Sequence, residues 1–125
     1  MKKTYNIEGA PKAIGPYSHA VSADGLFFLS GQIPIVPETG NIEDTTIEGQ
    51  TEQVLKNIGT VLKGLGLDYA DVVKTTVFLT DMNDFAKVNA VYGKYFTADF
   101  PARSAVQVGA LPKGALVEIE LVAQK

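Results

Sequence analysis

The sequence predicts an α+β domain in which a mixed β-sheet carries two helices on one face. Three observations point there. Asp24-Gly25 separates two apolar runs, residues from Ile47 to Leu65 place their apolar side chains at 3.6-residue spacing, and Val72 to Leu79 is mostly β-branched or aromatic. Strand-helix-strand order implies some parallel pairing, while hairpins imply antiparallel pairing, so the sheet is mixed. A chain of 125 residues without a linker or internal repeat reads as one domain, residues 1–125.

Taken in order, a short strand is expected near Thr4 to Ile7. Residues 9–16, with two glycines and two prolines, bar regular structure. Ser18 to Val21 and Leu26 to Leu29 then form a hairpin about Asp24-Gly25, a turn whose central positions both favour positive φ. Thr45 and Glu48 fit a capping box at the start of the first helix. Its buried stripe is Ile47, Val54, Leu55, Ile58, Val61, Leu62 and Leu65, with Gly64 and Gly66 available as C-terminal caps. After the Val72–Leu79 strand, a second helix starts between Asp81 and Asn83 and buries Phe85, Val88, Tyr92 and Phe96 before Pro101. Arg103 to Val108 and Leu116 to Ala123 are expected to pair as a terminal hairpin. The order is ββ-α-β-α-ββ, and two helices leave one sheet face to be covered by another subunit.

Composition narrows the function. Charged residues are 20% of the chain against 46% hydrophobic, and 14 acids against 11 bases leave a net charge of −3. A protein that neutralises phosphates should be far more basic, so nucleic acid and anionic membrane are poor partners. Without cysteine there is no thiolate, disulfide or Cys-ligated metal, and the single histidine, His19, cannot supply a multi-histidine site. No apolar run reaches the ~20 residues of a membrane helix, and Lys2-Lys3 leads straight to Thr4-Tyr5-Asn6 rather than to a leader's apolar stretch. The expectation is a soluble, cytoplasmic protein.

In the last strand Val117, Ile119, Leu121 and Ala123 share one face and Glu118 and Glu120 the other. If Ser104, Val106 and Val108 of its expected partner also face the helices, Arg103 lies beside the two glutamates, on the face a neighbour covers. An arginine opposite a glutamate is equally a plain cross-strand pair worth about 0.2–1 kcal/mol. Tyr17 after Gly15-Pro16, Ser30-Gly31 at a strand end and Asn89 beside the helical stripe are further candidates. Each also has an ordinary structural reading: a packing aromatic, a turn, a polar helix face.

These residues lie within blocks that resemble the RidA family (YjgF/YER057c/UK114). The blocks are Ala10-Pro11-Lys12-Ala13-Ile14-Gly15-Pro16-Tyr17-Ser18, Ser30-Gly31-Gln32-Ile33-Pro34, Val73 to Phe78, and Asp81 to Phe85 with Val88-Asn89. They continue with Phe100-Pro101-Ala102-Arg103-Ser104, Leu111-Pro112-Lys113 and Val117-Glu118-Ile119-Glu120. The resemblance implies a chorismate-mutase-like α+β fold, a homotrimer around a central sheet barrel, and sites in clefts between subunits. It implies hydrolysis of reactive 2-imino and enamine acids, such as 2-iminopropanoate and 2-iminobutanoate, to 2-keto acids and ammonia without cofactor or metal, limiting damage from 2-aminoacrylate. Arg103 would take the substrate carboxylate and Glu118 would activate water and move protons. Tyr17, Ser30, Gly31, Asn89 and Ala105 would bind substrate; many members carry cysteine where this chain has Ala105. Glu120 and His19 receive no role. The alternatives are a non-catalytic trimeric binding protein for small carboxylates and a translation inhibitor or ribonuclease, the latter disfavoured by a pI near 5.0.

Overall fold

Asp24 and Gly25 adopt φ of 51° and 81°, as a two-residue type I′ turn demands. The flanking strands pair antiparallel from Ala20↔Leu29 to Ala23↔Leu26. Around this hairpin a computed structural model describes residues 1–125 as β1 (Lys3–Tyr5), β2 (Ala20–Ala23), β3 (Leu26–Gln32), β4 (Ile35–Val36), β5 (Asn41–Ile42), α1 (Ile47–Gly64), β6 (Val72–Leu79), α2 (Phe85–Tyr92), β7 (Ala102–Gln107) and β8 (Val117–Gln124). Neither helix is long and apolar enough to cross a membrane.

The α1 stripe is buried as its spacing predicts, but the cap is one residue later than Thr45. Thr46 accepts from Gly49 N at 3.0 Å. Asp44 selects it: Oδ1 accepts from Thr46 N at 2.8 Å and from its hydroxyl at 2.7 Å. With Gly49 at the third helical position, no Glu side chain can close a reciprocal box. Instead a Cβ at Gly49 would collide with the Asp44 carboxylate. The two hydrogen bonds from Thr46 hold the Asp44 carboxyl below its usual range. At the other end Gly66, φ 75°, turns the chain while Leu67 N donates to Leu62 O at 2.8 Å. Gly64 stays helical, where Ile7 packs against its bare backbone.

Six strands form one sheet in the order β1-β2-β3-β8-β6-β7, with β4 and β5 as a separate ribbon. The expected terminal hairpin does not form. β6 lies between β7 and β8, parallel to the first and antiparallel to the second. The physical reason is the crossover: α2 returns the chain in β6's own direction, so β7 docks on β6's free edge. The loop to β8 then spans the end of β6, with Val108 N donating to Leu79 O (2.8 Å) and Thr80 N to Leu116 O (3.2 Å).

This register also reverses the expected facing of β7. Cross-strand neighbours share a face. Arg103, Thr75 and Leu121 line up on the helix side, while Val106, Phe78 and Glu118 line up on the other, as do Ser104, Thr76 and Glu120. Arg103 and Glu118 therefore occupy opposite faces of one sheet, not the same face. β7 is an edge strand at the rim of the helical layer, where a long cation can reach water while its stem packs. Its Val106 is left 42% exposed on the open face, as is Phe28 of β3, with two strands between them.

Between sheet and helices the core joins Val54, Leu55, Ile58, Val61 and Leu62 of α1 and Val88 of α2 to Val77, Leu79, Val117, Ile119 and Leu121. Buried Asn57 ties the β4 ribbon to this layer, donating to Ile35 O (2.8 Å) and Ile33 O (3.3 Å) and accepting from Gln53 (2.9 Å). Asn57→Leu keeps the volume but takes the side-chain donor from Ile35 O, while Ile33 O still accepts from Ile35 N at 2.8 Å, at a cost of about 1–3 kcal/mol. Urea unfolding at fixed protein concentration should show that loss; a variant as stable as the parent contradicts the anchoring role.

Candidate functional site

Phe85, Asn89 and Tyr92 stand at i, i+4 and i+7 on α2, hence on one helical face. That face meets Arg103. Its Nη1 donates to Asn89 Oδ1 at 2.8 Å, and its guanidinium carbon lies 4.8 Å from the Tyr92 ring centroid and 5.2 Å from that of Phe85. Tyr92 in turn shares a 2.8 Å hydrogen bond with the hydroxyl of Thr75, in the core of β6. Burial pushes the Tyr92 phenol up, with the Thr75 bond and the nearby Arg103 charge pulling the other way. Arg103 opens on a cavity of about 450 Å³ walled by Tyr92, Phe96, Phe100 and Pro101. A planar fork with edge and faces already engaged, and donors to spare, suits a small carboxylate.

The second constellation occupies the open face. Leu29 pairs with Leu121 and Gln32 with Ile119, so Ser30-Gly31 forms a bulge inside β3 rather than ending it. Gly31 is where the Glu118 side chain passes: a Cβ there would stand 2.9 Å from the Glu118 carboxyl carbon. Ser30 donates its hydroxyl to Ser18 O at 2.6 Å, drawing the Tyr17 segment against the bulge. Tyr17, 43% exposed, accepts from Ile14 N at 3.3 Å. Tyr17, Ser30, Gly31, Glu118 and Glu120 border a groove of about 370 Å³. Burial, and then repulsion from Glu120, raise the Glu118 carboxyl above its ordinary range. Such a group exchanges protons nearer neutrality than a free glutamate does.

The site residues expected from sequence thus fall into two groups. Arg103 and Asn89 meet; Tyr17, Ser30, Gly31 and Glu118 meet; within one chain the two groups lie on opposite sides of the sheet. Ala105 belongs with Arg103, one strand repeat along β7 and partly packed on the core. Asn89 contacts the arginine itself. Sequence reasoning missed the Phe85 and Tyr92 rings beneath Arg103, because their spacing marks them as core and only the β6-β7 pairing brings Arg103 over them. His19 is a buried staple: Nδ1 accepts from Ile7 N and Nε2 donates to Pro11 O, both at 2.8 Å.

Residues 7–125 match the family described as Endoribonuclease L-PSP. The chain is 53% identical over 122 residues to the Reactive Intermediate Deaminase A, chloroplastic, of Arabidopsis thaliana, covering 98% of this chain and 65% of that protein. It is 48% identical over 123 residues to the human 2-iminobutanoate/2-iminopropanoate deaminase, covering 98% of this chain and 90% of the relative. A crystal structure of a Rid-family protein from Yersinia pestis superposes with a TM-score of 0.96 at 51% identity, covering both chains fully.

Gly31→Ala tests the seat of Glu118. Because the colliding group is the far end of a flexible side chain, folding stability should change by about 1 kcal/mol or less. The carboxylate should swing into water and its pKa fall toward the ordinary value, read by NMR titration of a Glu118 side chain carbon. An unchanged titration contradicts the close fit.

Proposed function

The chain belongs to the Endoribonuclease L-PSP family, whose relatives include named reactive-intermediate deaminases, and we propose that it hydrolyses small 2-imino acids to 2-keto acids and ammonia without a cofactor. The observation that carries this reading is Arg103, tethered by Asn89 and backed by two rings at the mouth of a cavity. The substrates would be 2-iminopropanoate and 2-iminobutanoate, the tautomers of enamine acids such as 2-aminoacrylate. Arg103 holds the carboxylate and so fixes the adjacent imine carbon.

Glu118 takes a proton from water as the water oxygen bonds to that carbon and the C=N π electrons move to nitrogen. The proton passes on to nitrogen; the C–N bond of the resulting carbinolamine then breaks, ammonia leaves, and the hydroxyl proton is lost to give the ketone. A protonated imine is electrophilic enough that no covalent nucleophile is required. Positioning and proton transfer supply the help.

Arg103 and Glu118 diverge within one chain, so the working site joins the Arg103 cradle of one subunit to the Glu118 groove of the next. A heterologous contact of this kind closes into a ring when its rotation divides a full turn, and a homotrimer with the open faces inward would also cover Phe28 and Val106. Tyr17 then walls the cleft, Ser30 and Gly31 shape it, and Ala105 gives it a small lining. A binding-only protein would need the clamp but gains nothing from a carboxylate of raised pKa beside it. RNA cleavage, which the family description names, sits poorly with the paired Glu118 and Glu120 carboxylates that would repel a phosphodiester.

Arg103→Ala should lower ammonia release from freshly generated 2-iminobutanoate by about 100-fold or more. Glu118→Gln should lower kcat about 100- to 1,000-fold with keto-acid affinity nearly kept. Full turnover in either variant contradicts its assigned role.

Activity also requires ionised Glu118, so it declines as pH falls through that group's raised pKa. Removing the like charge in Glu120→Gln lowers this pKa, and the acid limb of kcat/KM should move to lower pH. A limb that stays in place contradicts Glu118 as the base.

A further inference from the structure

Arg103 is long, exposed and rooted on an edge strand, yet its guanidinium stands in a defined place. We propose that Tyr92 is the positioning residue responsible: its ring, pinned from behind by buried Thr75, is the shelf that sets where the fork stands. The proposal rests on the reading of Arg103 as the carboxylate grip.

The geometry is a closed brace. Thr75 is the register partner of Arg103 in the β6-β7 pairing, so the root of the arginine is fixed relative to Thr75. The hydroxyl of the same Thr75 is bonded to Tyr92 Oη at 2.8 Å, so the shelf is fixed relative to it too. Root and tip of one flexible side chain thus refer to a single residue with no exposed surface. Asn89 engages the guanidinium at an edge, whereas Tyr92 and Phe85 lie against it at 4.8 and 5.2 Å from their centroids. A flat cation can use both kinds of contact; an ammonium cannot.

Packing alone does not require the polar pair. A valine at 75 and a phenylalanine at 92 would fill nearly the same volume without burying two hydroxyls, which is tolerable only because they satisfy each other. Tyr92 also packs on Phe96, ring centroids 4.5 Å apart, so a structural role must be told apart from a positioning one. Ordering a long side chain before the ligand arrives spares part of the entropy otherwise lost on binding. The shelf should therefore act on affinity more than on the chemical step.

The test uses Tyr92→Leu in the full-length protein, with Tyr92→Phe as the conservative rescue and Phe85→Leu as a second probe at a less buried position. The first readout needs no ligand: in the parent, the Arg103 Nε–H proton should be shifted upfield by the rings, and the leucine variant at 92 should lose most of that shift. The second is affinity for 2-oxobutanoate, with KM and kcat for the imine. In Tyr92→Leu the Kd and KM should rise about tenfold while kcat changes less than about threefold. Tyr92→Phe keeps the ring but loses its pin, so it should keep most of the shift and fall between the parent and Tyr92→Leu in affinity, and Phe85→Leu should lose part of both; a Tyr92→Phe protein equal to the parent in both would overturn the Thr75 pin. Should Tyr92→Leu fail to fold, an affinity equal to the parent's in Thr75→Val, which keeps the volume but removes the pin, would overturn the proposal. So would a Tyr92→Leu protein that binds keto acid like the parent, or a Tyr92→Phe protein as weak as the leucine variant. If Arg103→Ala itself retains keto-acid affinity, the grip reading falls, whereas the ring-current arm still decides whether the shelf exists.

Discussion

β6 pairs parallel with β7 along one edge and antiparallel with β8 along the other, and the opposite facing of Arg103 and Glu118 follows from that double pairing. Cross-strand neighbours share a face, so the register that sets Thr75 beside both Arg103 and Leu121 points the arginine toward α2. The same register sets Phe78 beside Glu118 and Val106 and points the glutamate away from the helices. A one-residue slip of β7 would send Arg103 to the open face, away from Asn89, Tyr92 and Phe85, and turn Val106 toward the helices.

Placing the two charges on opposite faces lets each be adjusted without the other. An arginine beside Glu118 in the same chain would pull that carboxyl down; instead burial and Glu120 push it up. Nor does a carboxylate compete for the arginine, whose one hydrogen bond goes to Asn89. In the proposed ring the substrate comes between them, its carboxylate toward one subunit and its imine carbon toward the next. In that proposed assembly specificity and chemistry meet only between subunits, and one contact accounts for both the uncovered sheet face and the split site.

Much of this was legible in the sequence, for reasons that are local. Asp24-Gly25 announces its turn because few residue pairs accept two positive φ values, and α1 announces its buried face because 18 residues repeat one period five times over. The individual candidates Arg103, Glu118, Tyr17, Ser30, Gly31 and Asn89 were also visible, and two compact constellations account for all of them. What failed was non-local. Adjacent runs joined by a loop suggest a hairpin, and nothing in the residues of β7 or β8 says that β6, separated from β7 by a helix, will come between them. The wrong pairing then inverted β7, since Val106 reads as core until the strand is known to lie at the edge. The cap moved by one residue for a similar reason: Thr45 and Thr46 are equivalent in sequence, and only the Asp44 carboxylate chooses.

Subunit complementation tests the split site most directly. Arg103→Ala and Glu118→Gln chains, each nearly inactive alone, would be unfolded together in equal amounts and refolded as mixed trimers. If each site draws its arginine and glutamate from different subunits, three-quarters of the trimers contain both chains and carry one intact site in three, restoring about a quarter of parental activity. A mixture no more active than the two variants measured separately would mean that each site lies within one chain, and the account would be wrong.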